Sequence, residues 1–412
     1  MTRIVITIPK RKYYLTIYKL ENTIQEYAWG HTKHIADLLG IENKSNKPLA
    51  ELWMGAHPKA PSKFVDASAF KSDLFQLINN NPTEVLGKTI MKRFGRLPFL
   101  FKVLAAGSPL SIQAHPNLKQ AKVGFERENK LGIALDAFNR NYKDDNHKPE
   151  LMCALTTFKA LNGFRPIEEI EKLLSPAKKD IPTRIWNKIE DHDPQCLKEL
   201  FTFLITMEKE VKTSFLNEII KISLENKDQD PGYDWVLKLN STYAGDIGIV
   251  CPLILNLIEL EPGEAVFLDA GRLHSYLEGL GVELMANSDN VLRGGLTPKF
   301  VDVIELLSIL EFDVSKISKV KVMGNDVENQ YPKFTDEFQL SLIDINQDKT
   351  FTSRVIHEPS IFICINGQGT FKSDDNSFEF KKGDSFFASF ETYQLNISGN
   401  AQLFRAFTPL DK

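Results

Sequence analysis

Apolar and polar positions change rhythm along the chain. From Leu97 to Pro116 the text LPFLFKVLAAGSPLSIQAHP is dense, apolar and strand-forming, broken by a Gly-Ser-Pro turn. From Pro166 to about Lys238 the pattern predicts helices. IEEIEKLL follows Pro166, a favoured first helical position, and CLKELFTFLITMEKEV and SFLNEIIKISLE carry apolar residues at i, i+3, i+4 spacing. Asp-Gln-Asp-Pro-Gly at 228–232 closes that block as a loop. After Gly245 strands return in IGIVCPLILNLIELEPGEAVFLDAGRLHSYL, separated by Pro-Gly and Ala-Gly turns. The tail from Phe351 to Leu410 repeats this style in IFICINGQGTFKS, SFEFKKGDSFFAS and YQLNISG. Short strands at about ten-residue spacing predict a sandwich or barrel. The pattern therefore predicts a β domain, a helical insertion, and one or two further β modules.

Length and composition narrow the class. At roughly 100–200 residues per domain, 412 residues make two to four domains, or one large core with insertions. Twenty-eight Phe residues supply bulky material for a core. Fifty Lys+Arg against 54 Asp+Glu leave a net charge of −4, which argues against a protein whose main role is binding nucleic acid. A local basic pocket for a small anion remains open. Cys153, Cys196, Cys251 and Cys364 are dispersed, with no CxxC pair, and point to a reducing compartment. The N-terminal apolar run Ile4–Ile8 is too short for a signal peptide, and no stretch is long and apolar enough to span a membrane. A cytoplasmic protein without a membrane partner is expected.

Candidate chemistry lies in separate segments. In Ser111-Ile112-Gln113-Ala114-His115, strand alternation puts Ser111, Gln113 and His115 on one polar face; a solvated strand face is the plain alternative. Asn139–Glu150 (NRNYKDDNHKPE) is either a surface loop or the approach to a carboxylate ligand, Glu150, with His147 and Lys148 as acid–base or anion-binding groups. The stretch Glu261–Tyr276 has the turn–strand–turn–His pattern of a cupin, which makes His274 a candidate ligand or a satisfied polar residue. In Gly281–Lys299, Arg293 precedes two glycines and Lys299 follows Thr-Pro. A guanidinium and an ammonium beside a glycine turn suit a phosphorylated substrate, and a solvated loop is the alternative. Gln113, His115, Glu150 and His274 would make a coherent zinc ligand set, although the amide is an unusual member.

Several ordered motifs together resemble the type I phosphomannose isomerase family. They are Tyr27-Ala28-Trp29-Gly30, Ala50–Gly55 with His57-Pro58, SIQAHPN at 111–117, YKDDNHKPE at 142–150, Pro262–Tyr276, and MANSDNVLRGGLTPK at 285–299. They cover about residues 18–310. The resemblance implies a mainly β fold with an α insertion: two cupin-type (jelly-roll) β-barrel modules plus an inserted helical domain. The expected division is an extension at 1–17, a catalytic module at 18–165 and 246–320, a helical insertion at 166–245, and a C-terminal barrel at 321–412. That barrel has cupin turns but no paired His motif, so it is expected to lack metal, with His357 structural.

The resemblance also implies an activity: interconversion of mannose 6-phosphate and fructose 6-phosphate, as part of carbohydrate metabolism and GDP-mannose biosynthesis. One Zn²⁺ per chain would be held by Gln113, His115, Glu150 and His274. Arg293 matches the family's catalytic arginine, with Glu283, Lys148, His147 and Asp289 as further catalytic candidates. Trp29, Ser111, Lys148, Tyr276, Arg293 and Lys299 are the expected substrate contacts. A monomer is expected, with the phosphosugar as its only partner. Moving the carbonyl between C1 and C2 passes a proton between neighbouring carbons through a cis-enediol. Arg293 holds its proton too tightly to be the base, so the carrier is sought among Glu283, His147, Lys148 and Asp289, with Glu283 preferred. Three other readings stand beside this one: a non-catalytic sugar-phosphate sensor, an isomerase of another phosphosugar, and a cupin oxygenase. Gln113 fits the His-His-carboxylate iron set of an oxygenase poorly.

Overall fold

The structure is a computed structural model that describes residues 17–65, 73–314, 316–322, 326–373, 377–390 and 392–410. The expected extension 1–17 lies outside these residues except for Ile17. Strands dominate, and they form two large antiparallel sheets. The first runs in the order Lys319–Lys321, Glu264–Leu268, Glu150–Ala154, His274–Ala286, Phe99–Ala106, Glu51–Met54, Thr23–Gln25. Ile112–Ala114, Leu292–Gly295, Phe158–Phe164 and Leu255–Leu260 attach through the long His274–Ala286 strand.

That strand does two jobs. Its first half pairs with Gln113 and with Phe158–Phe164, and its second half pairs with Phe99–Ala106 and Glu150–Ala154. The change of partners falls at a register shift between Tyr276 and Glu278. Gly279 follows with φ +125°, and a Cβ there would sit 2.8 Å from the Phe158 Cα. Only glycine accepts that backbone and that approach. Every residue of Phe99–Ala106 is buried, so this strand is covered on both faces.

The second sheet runs Glu328–Gln330, Gln339–Ile345, Thr392–Phe407, Ser360–Lys372, Ser385–Ala388, Ile17–Glu21, Lys63–Phe64. Ile17–Glu21 pairs with Ser385–Ala388, so the first described strand crosses the expected module division and joins the C-terminal sheet. Phe362, Phe371 and Phe386 fill its core, with Phe371 stacked on Phe386 at 4.7 Å between ring centroids. Each such buried side chain contributes about 1.5–3 kcal/mol of transfer free energy.

Between Phe164 and Leu255 the chain is helical: Ile167–Leu174, Thr183–Glu190, Gln195–Ile205 and Lys209–Asn226 follow the periodicity. Asp-Gln-Asp-Pro-Gly does not close the block, because Asp230 caps a further helix, Pro231–Thr242, with Pro231 in its first turn. Ile247–Leu253 is a short 3-10 helix where the pattern predicts a strand. The apolar stripes of the helices (Ile170, Trp186, Leu200, Ile219, Val236) share one core with Ile112 and Leu292 of the first sheet. The insertion is thus packed against the back of the strands that carry Gln113 and Arg293. Another helix, Leu118–Lys130, starts with a capping box between Asn117 and Gln120 immediately after His115. All four cysteines are buried and free. No helix among the described residues is long and apolar enough to cross a membrane.

Candidate metal and substrate site

Three strands bring the expected ligands side by side. Gln113 lies opposite His274 on one side and opposite Arg293 on the other. Glu150 opens the Glu150–Ala154 strand, opposite Leu268 and Met285. His115, Glu150 and His274 are each 1% exposed and converge. His115 Nε2 is 3.4 Å from Glu150 Oε1, and His274 Nε2 is 3.6 Å from Oε2. The ligand atoms of all three lie within 4.8 Å of one another. The Gln113 amide nitrogen is 3.4 Å from His274 Nε2, and a half-turn of that carboxamide would present its oxygen instead.

The second contacts of the imidazoles set their tautomers. His115 Nδ1 lies 2.7 Å from the Asn290 carbonyl and His274 Nδ1 2.9 Å from the Arg272 carbonyl. Each Nδ1–H donates outward, which leaves the Nε2 lone pairs facing Glu150. His115 Nε2 is fully buried without a hydrogen-bond partner. Two Nε2 lone pairs, one of them with no hydrogen-bond partner, and a carboxylate aimed at one point are a donor set that fits a divalent metal. Electrostatics agree. Burial, and then the Lys148 charge, hold His115 below the ordinary histidine range; burial and His115 push His274 down to about 4. Burial raises the Glu150 carboxyl, but Lys148 and the two histidines outweigh it and keep it well below its ordinary range.

Alternation along the first sheet builds a second cluster beside this one. Glu283 lies opposite Lys102, and Lys102 opposite Trp53, with Glu51 two residues from Trp53 on the same face. Lys102 Nζ is 2.8 Å from Glu283 Oε2 and 3.3 Å from Glu51 Oε1. Trp53 Nε1 donates to Glu51 Oε2 at 2.7 Å. Burial raises the Glu283 carboxyl; Lys102 opposes this, while Glu150 and Glu51 reinforce it, and the net shift is upward. Tyr276 connects the clusters. Its hydroxyl is 3.4 Å from Glu150 Oε2, and burial followed by the Glu283 charge raises the phenol well above its ordinary range. Lys148 Nζ is 2.8 Å from Glu150 Oε1.

The remaining expected residues divide. Arg293 is partly buried and Lys299 exposed, and neither has a carboxylate partner among the described residues. Burial lowers both, and Arg293 lowers Lys299 further, so the two charges are neighbours. Ser111 is half-buried at the start of the Gln113 strand, and Trp29 packs at the edge of the cluster that holds Met152 and Tyr276. Asp289 pairs with Lys59 at 2.7 Å and lies 3.6 Å from His57, on a separate cavity with Lys143 and Asp144. His147 Nε2 is 2.7 Å from Glu337 Oε1, on a cavity of about 700 Å³ that Arg93, Arg96 and Lys333 also line. His357 lies exposed beside Phe390.

Sequence reasoning did not assign Lys102, Glu51, Lys143 or Asn290. Lys102 carried a usable signal, a single charge inside the apolar run LPFLFKVLAA. Asn290 orients His115 through its carbonyl, while its side chain accepts from Lys143 N at 2.6 Å and donates to Asp144 O at 2.8 Å.

Fold and site together define a cupin-class metalloenzyme. The family model for type I phosphomannose isomerase, catalytic domain, matches residues 17–167, and that for mannose-6-phosphate isomerase, cupin domain, matches residues 327–408. The chain is 40% identical over 394 residues to mannose-6-phosphate isomerase of Escherichia coli (strain K12), covering 95% of this chain and 100% of that one. It is 39% identical over 323 residues to the Homo sapiens enzyme of the same name, covering 73% and 74%. A crystal structure of zinc-bound mannose 6-phosphate isomerase superposes with a TM-score of 0.89 at 38% identity, over 96% of this chain and 100% of that one. The chain belongs to the type I phosphomannose isomerase family.

Proposed function

We propose that this chain interconverts mannose 6-phosphate and fructose 6-phosphate, using one Zn²⁺ held by Gln113, His115, Glu150 and His274. The observation that carries the reading is the buried His115–Glu150–His274 cluster, with Lys102 and Glu283 on one side and Arg293 on the other. When bound, the zinc ion supplies Lewis acidity for the sugar oxygens.

The protein's own groups divide the rest of the work. Glu283 is the proton carrier: its carboxylate takes the proton from C2 of the open-chain aldose and returns it to C1. Meanwhile O1 gains a proton and O2 loses one, which gives the ketose. A carboxyl raised by burial is better matched to a weakly acidic carbon than an ordinary one. Lys102 holds Glu283 in place through their 2.8 Å ion pair. Arg293 and Lys299 bind the phosphate, and Arg293 offsets the charge that develops on the enediol. Ser111, Tyr276 and Trp29 line the sugar. Lys148, paired with Glu150, serves orientation and charge balance. The contact of His147 with Glu337 supports a bracing role for it, and the pairing of Asp289 with Lys59 supports one for Asp289.

The same reading takes residues 18–165 with 246–320 as the catalytic module, 166–245 as helical support, 321–412 as a metal-free barrel and 1–17 as an extension. It describes a cytoplasmic monomer that supplies GDP-mannose synthesis.

A coupled assay of mannose 6-phosphate turnover tests it, before and after chelation and with zinc restored, alongside Arg293→Ala. Activity should vanish on chelation and return with zinc, and Arg293→Ala should lose at least about 10²-fold in kcat/KM. A folded, zinc-loaded chain without turnover would overturn the reading. Binding of the sugar phosphate would then indicate a sensor, and turnover of a different phosphosugar would indicate another isomerase.

A further inference from the structure

The segment 243–248 closes the helical insertion and touches both loops that lead into the anion end of the site. Tyr243 donates its hydroxyl to the Pro109 carbonyl at 2.7 Å, two residues before Ser111. Asp246 grips the other loop. Its Oδ1 accepts from Gly248 N at 2.7 Å, and its Oδ2 accepts from Thr297 N at 3.2 Å, between Arg293 and Lys299.

The gripped loop carries strained backbone. Leu296 has φ +54°, a left-handed conformation that costs a leucine free energy, and Gly295 has φ +148°. The backbones meet there without side chains between them. A Cβ on Gly248 would lie 2.9 Å from Leu296 N, and a Cβ on Gly295 would lie 2.9 Å from the Gly248 Cα and 3.0 Å from Asp246 Oδ1. Beyond this point Lys299 N donates to Thr297 Oγ1 at 3.1 Å, so the residue that Asp246 fixes also fixes the start of the lysine. Neither Tyr243 nor Asp246 belongs to a motif that the proposed chemistry uses. Both reach outward from the insertion onto segments that continue two paired strands: Pro109 leads through Ser111 into Ile112–Ala114, and Thr297 lies between Lys299 and the Leu292–Gly295 strand that carries Arg293.

We propose that Tyr243 and Asp246 are positioning residues, a brace by which the helical insertion holds the Arg293–Lys299 segment, and the Ser111 segment beside it, in place at the phosphate end. This rests on the assignment of that end to Arg293 and Lys299. The brace gives the insertion a functional role, because its core is packed behind the Gln113 and Arg293 strands while its exit holds the segments that continue those strands. A phosphate held by Arg293 and Lys299 is sensitive to the placement of the segment that joins them, whereas Glu283 lies on another strand, opposite Lys102.

The test uses the full-length, zinc-loaded chain with Asp246→Ala, Asp246→Asn, Tyr243→Phe and Lys299→Ala. For each, kcat and KM for mannose 6-phosphate, the inhibition constant of inorganic phosphate, zinc content and melting temperature are measured. For Asp246→Ala, KM and the phosphate inhibition constant should rise together, on the order of tenfold, with kcat within about twofold of the parent. Asp246→Asn keeps one acceptor oxygen and should fall between Asp246→Ala and the parent. Tyr243→Phe, which loses one hydrogen bond on the neighbouring Pro109–Ser111 segment, should raise both constants about threefold. The Asn and Phe variants decide the matter even if the Ala variant folds poorly. The brace is overturned if both constants stay at parental values, or if kcat and melting temperature fall while KM and phosphate inhibition do not move. Lys299→Ala separates the two layers. If it raises KM and the Asp246 variants do not, the brace alone fails; if it leaves KM unchanged, the phosphate assignment fails and the brace with it.

Discussion

The Lys102 ammonium lies 2.8 Å from a Glu283 carboxylate oxygen, and both side chains are buried on adjacent strands beside the metal cluster. Glu51 reaches the same ammonium at 3.3 Å, so two carboxylates share one cation. Burial, helped by Glu150 and Glu51 and opposed by Lys102, leaves Glu283 easier to protonate than an ordinary glutamate while Lys102 stays charged: burial lowers the ammonium, and Glu283 and Glu51 more than reverse it. Glu283→Gln preserves shape and removes the base. It should lower kcat by about 10²–10⁴-fold with zinc content unchanged. Because Glu283 must be ionised to accept a proton, the acid limb of kcat/KM should lie above the ordinary carboxylate range and should disappear in the residual activity of Glu283→Gln. Unchanged kcat in that variant would remove Glu283 as carrier. Lys102→Met should cost about 3–5 kcal/mol of stability, since it strands two buried carboxylates.

Metal removal is the second expected effect. His115, Glu150 and His274 form a preassembled donor set with one imidazole nitrogen unpartnered, and a bound cation offsets that cost. Chelation should lower the melting temperature, and zinc should restore it in a concentration-dependent way, by about 2.7 kcal/mol at a hundredfold excess over Kd. His115→Ala should bring zinc below one ion per chain by elemental analysis. Asn290 acts on the metal only through the carbonyl that orients His115. Substituting its side chain should therefore loosen the 143–146 loop, and zinc affinity should fall by about tenfold or less. Equal melting temperatures with and without chelator would contradict the fit.

Much of this was legible in the sequence, for physical reasons. Gln113 and His115 reach the same His274 cluster because alternation is a local rule, and Ile112 and Ala114 between and beside them are fully buried as that rule requires. The helical insertion was readable because its apolar stripe repeats at i, i+3, i+4 over many turns. Lys102 was not read. Its partner Glu283 is far away in sequence, and only cross-strand register brings them opposite each other. The pairing of Ile17–Glu21 with Ser385–Ala388 was hidden for the same reason, since no local pattern names a strand's distant neighbour. His147 and Asp289 show the converse. Both stand in motifs that match the family, yet their side-chain partners are Glu337 and Lys59, which proximity in sequence could not indicate.

His147 and Glu337 supply the third expected outcome. Nε2 and Oε1 are 2.7 Å apart, and the contact joins the loop before the Glu150–Ala154 strand to the loop before the Gln339–Ile345 strand. Burial raises the Glu337 carboxyl, but hydrogen bonds from His147 and Thr335 outweigh it and leave it lowered. A lowered carboxyl adds stability above its unfolded value, and that stability is lost as pH falls through the folded value. His147→Ala should thus destabilise the chain by about 1–2 kcal/mol near neutral pH, with the difference shrinking below about pH 4. Its kcat should stay within about threefold of the parent. A loss of kcat comparable to that of Glu283→Gln, without loss of stability, would instead make His147 the carrier.

Acid sensitivity of the metal-free protein is the last expected outcome, and its sign follows from the buried histidines. Burial and the neighbouring His115 hold His274 at about 4 in the fold, against about 6.5 in an unfolded chain. Between those two values the unfolded chain binds a proton that the folded chain does not, so the His274 contribution to stability falls as pH drops from about 6.5 towards 4 and levels off below it, where the loss from lowered carboxyls such as Glu150 continues. His115 is lowered in the same direction and deepens the slope. Denaturant titrations of the chelated protein at a series of pH values should show this decline. His274→Gln removes one titrating group while keeping a polar side chain, and should flatten the decline measurably. The zinc-loaded protein has a further term, because protons compete with the metal for Nε2, so its loss of zinc should follow the same pH range. A chelated protein whose stability stays constant between pH 6.5 and 4 would show that the buried imidazoles titrate as free ones do.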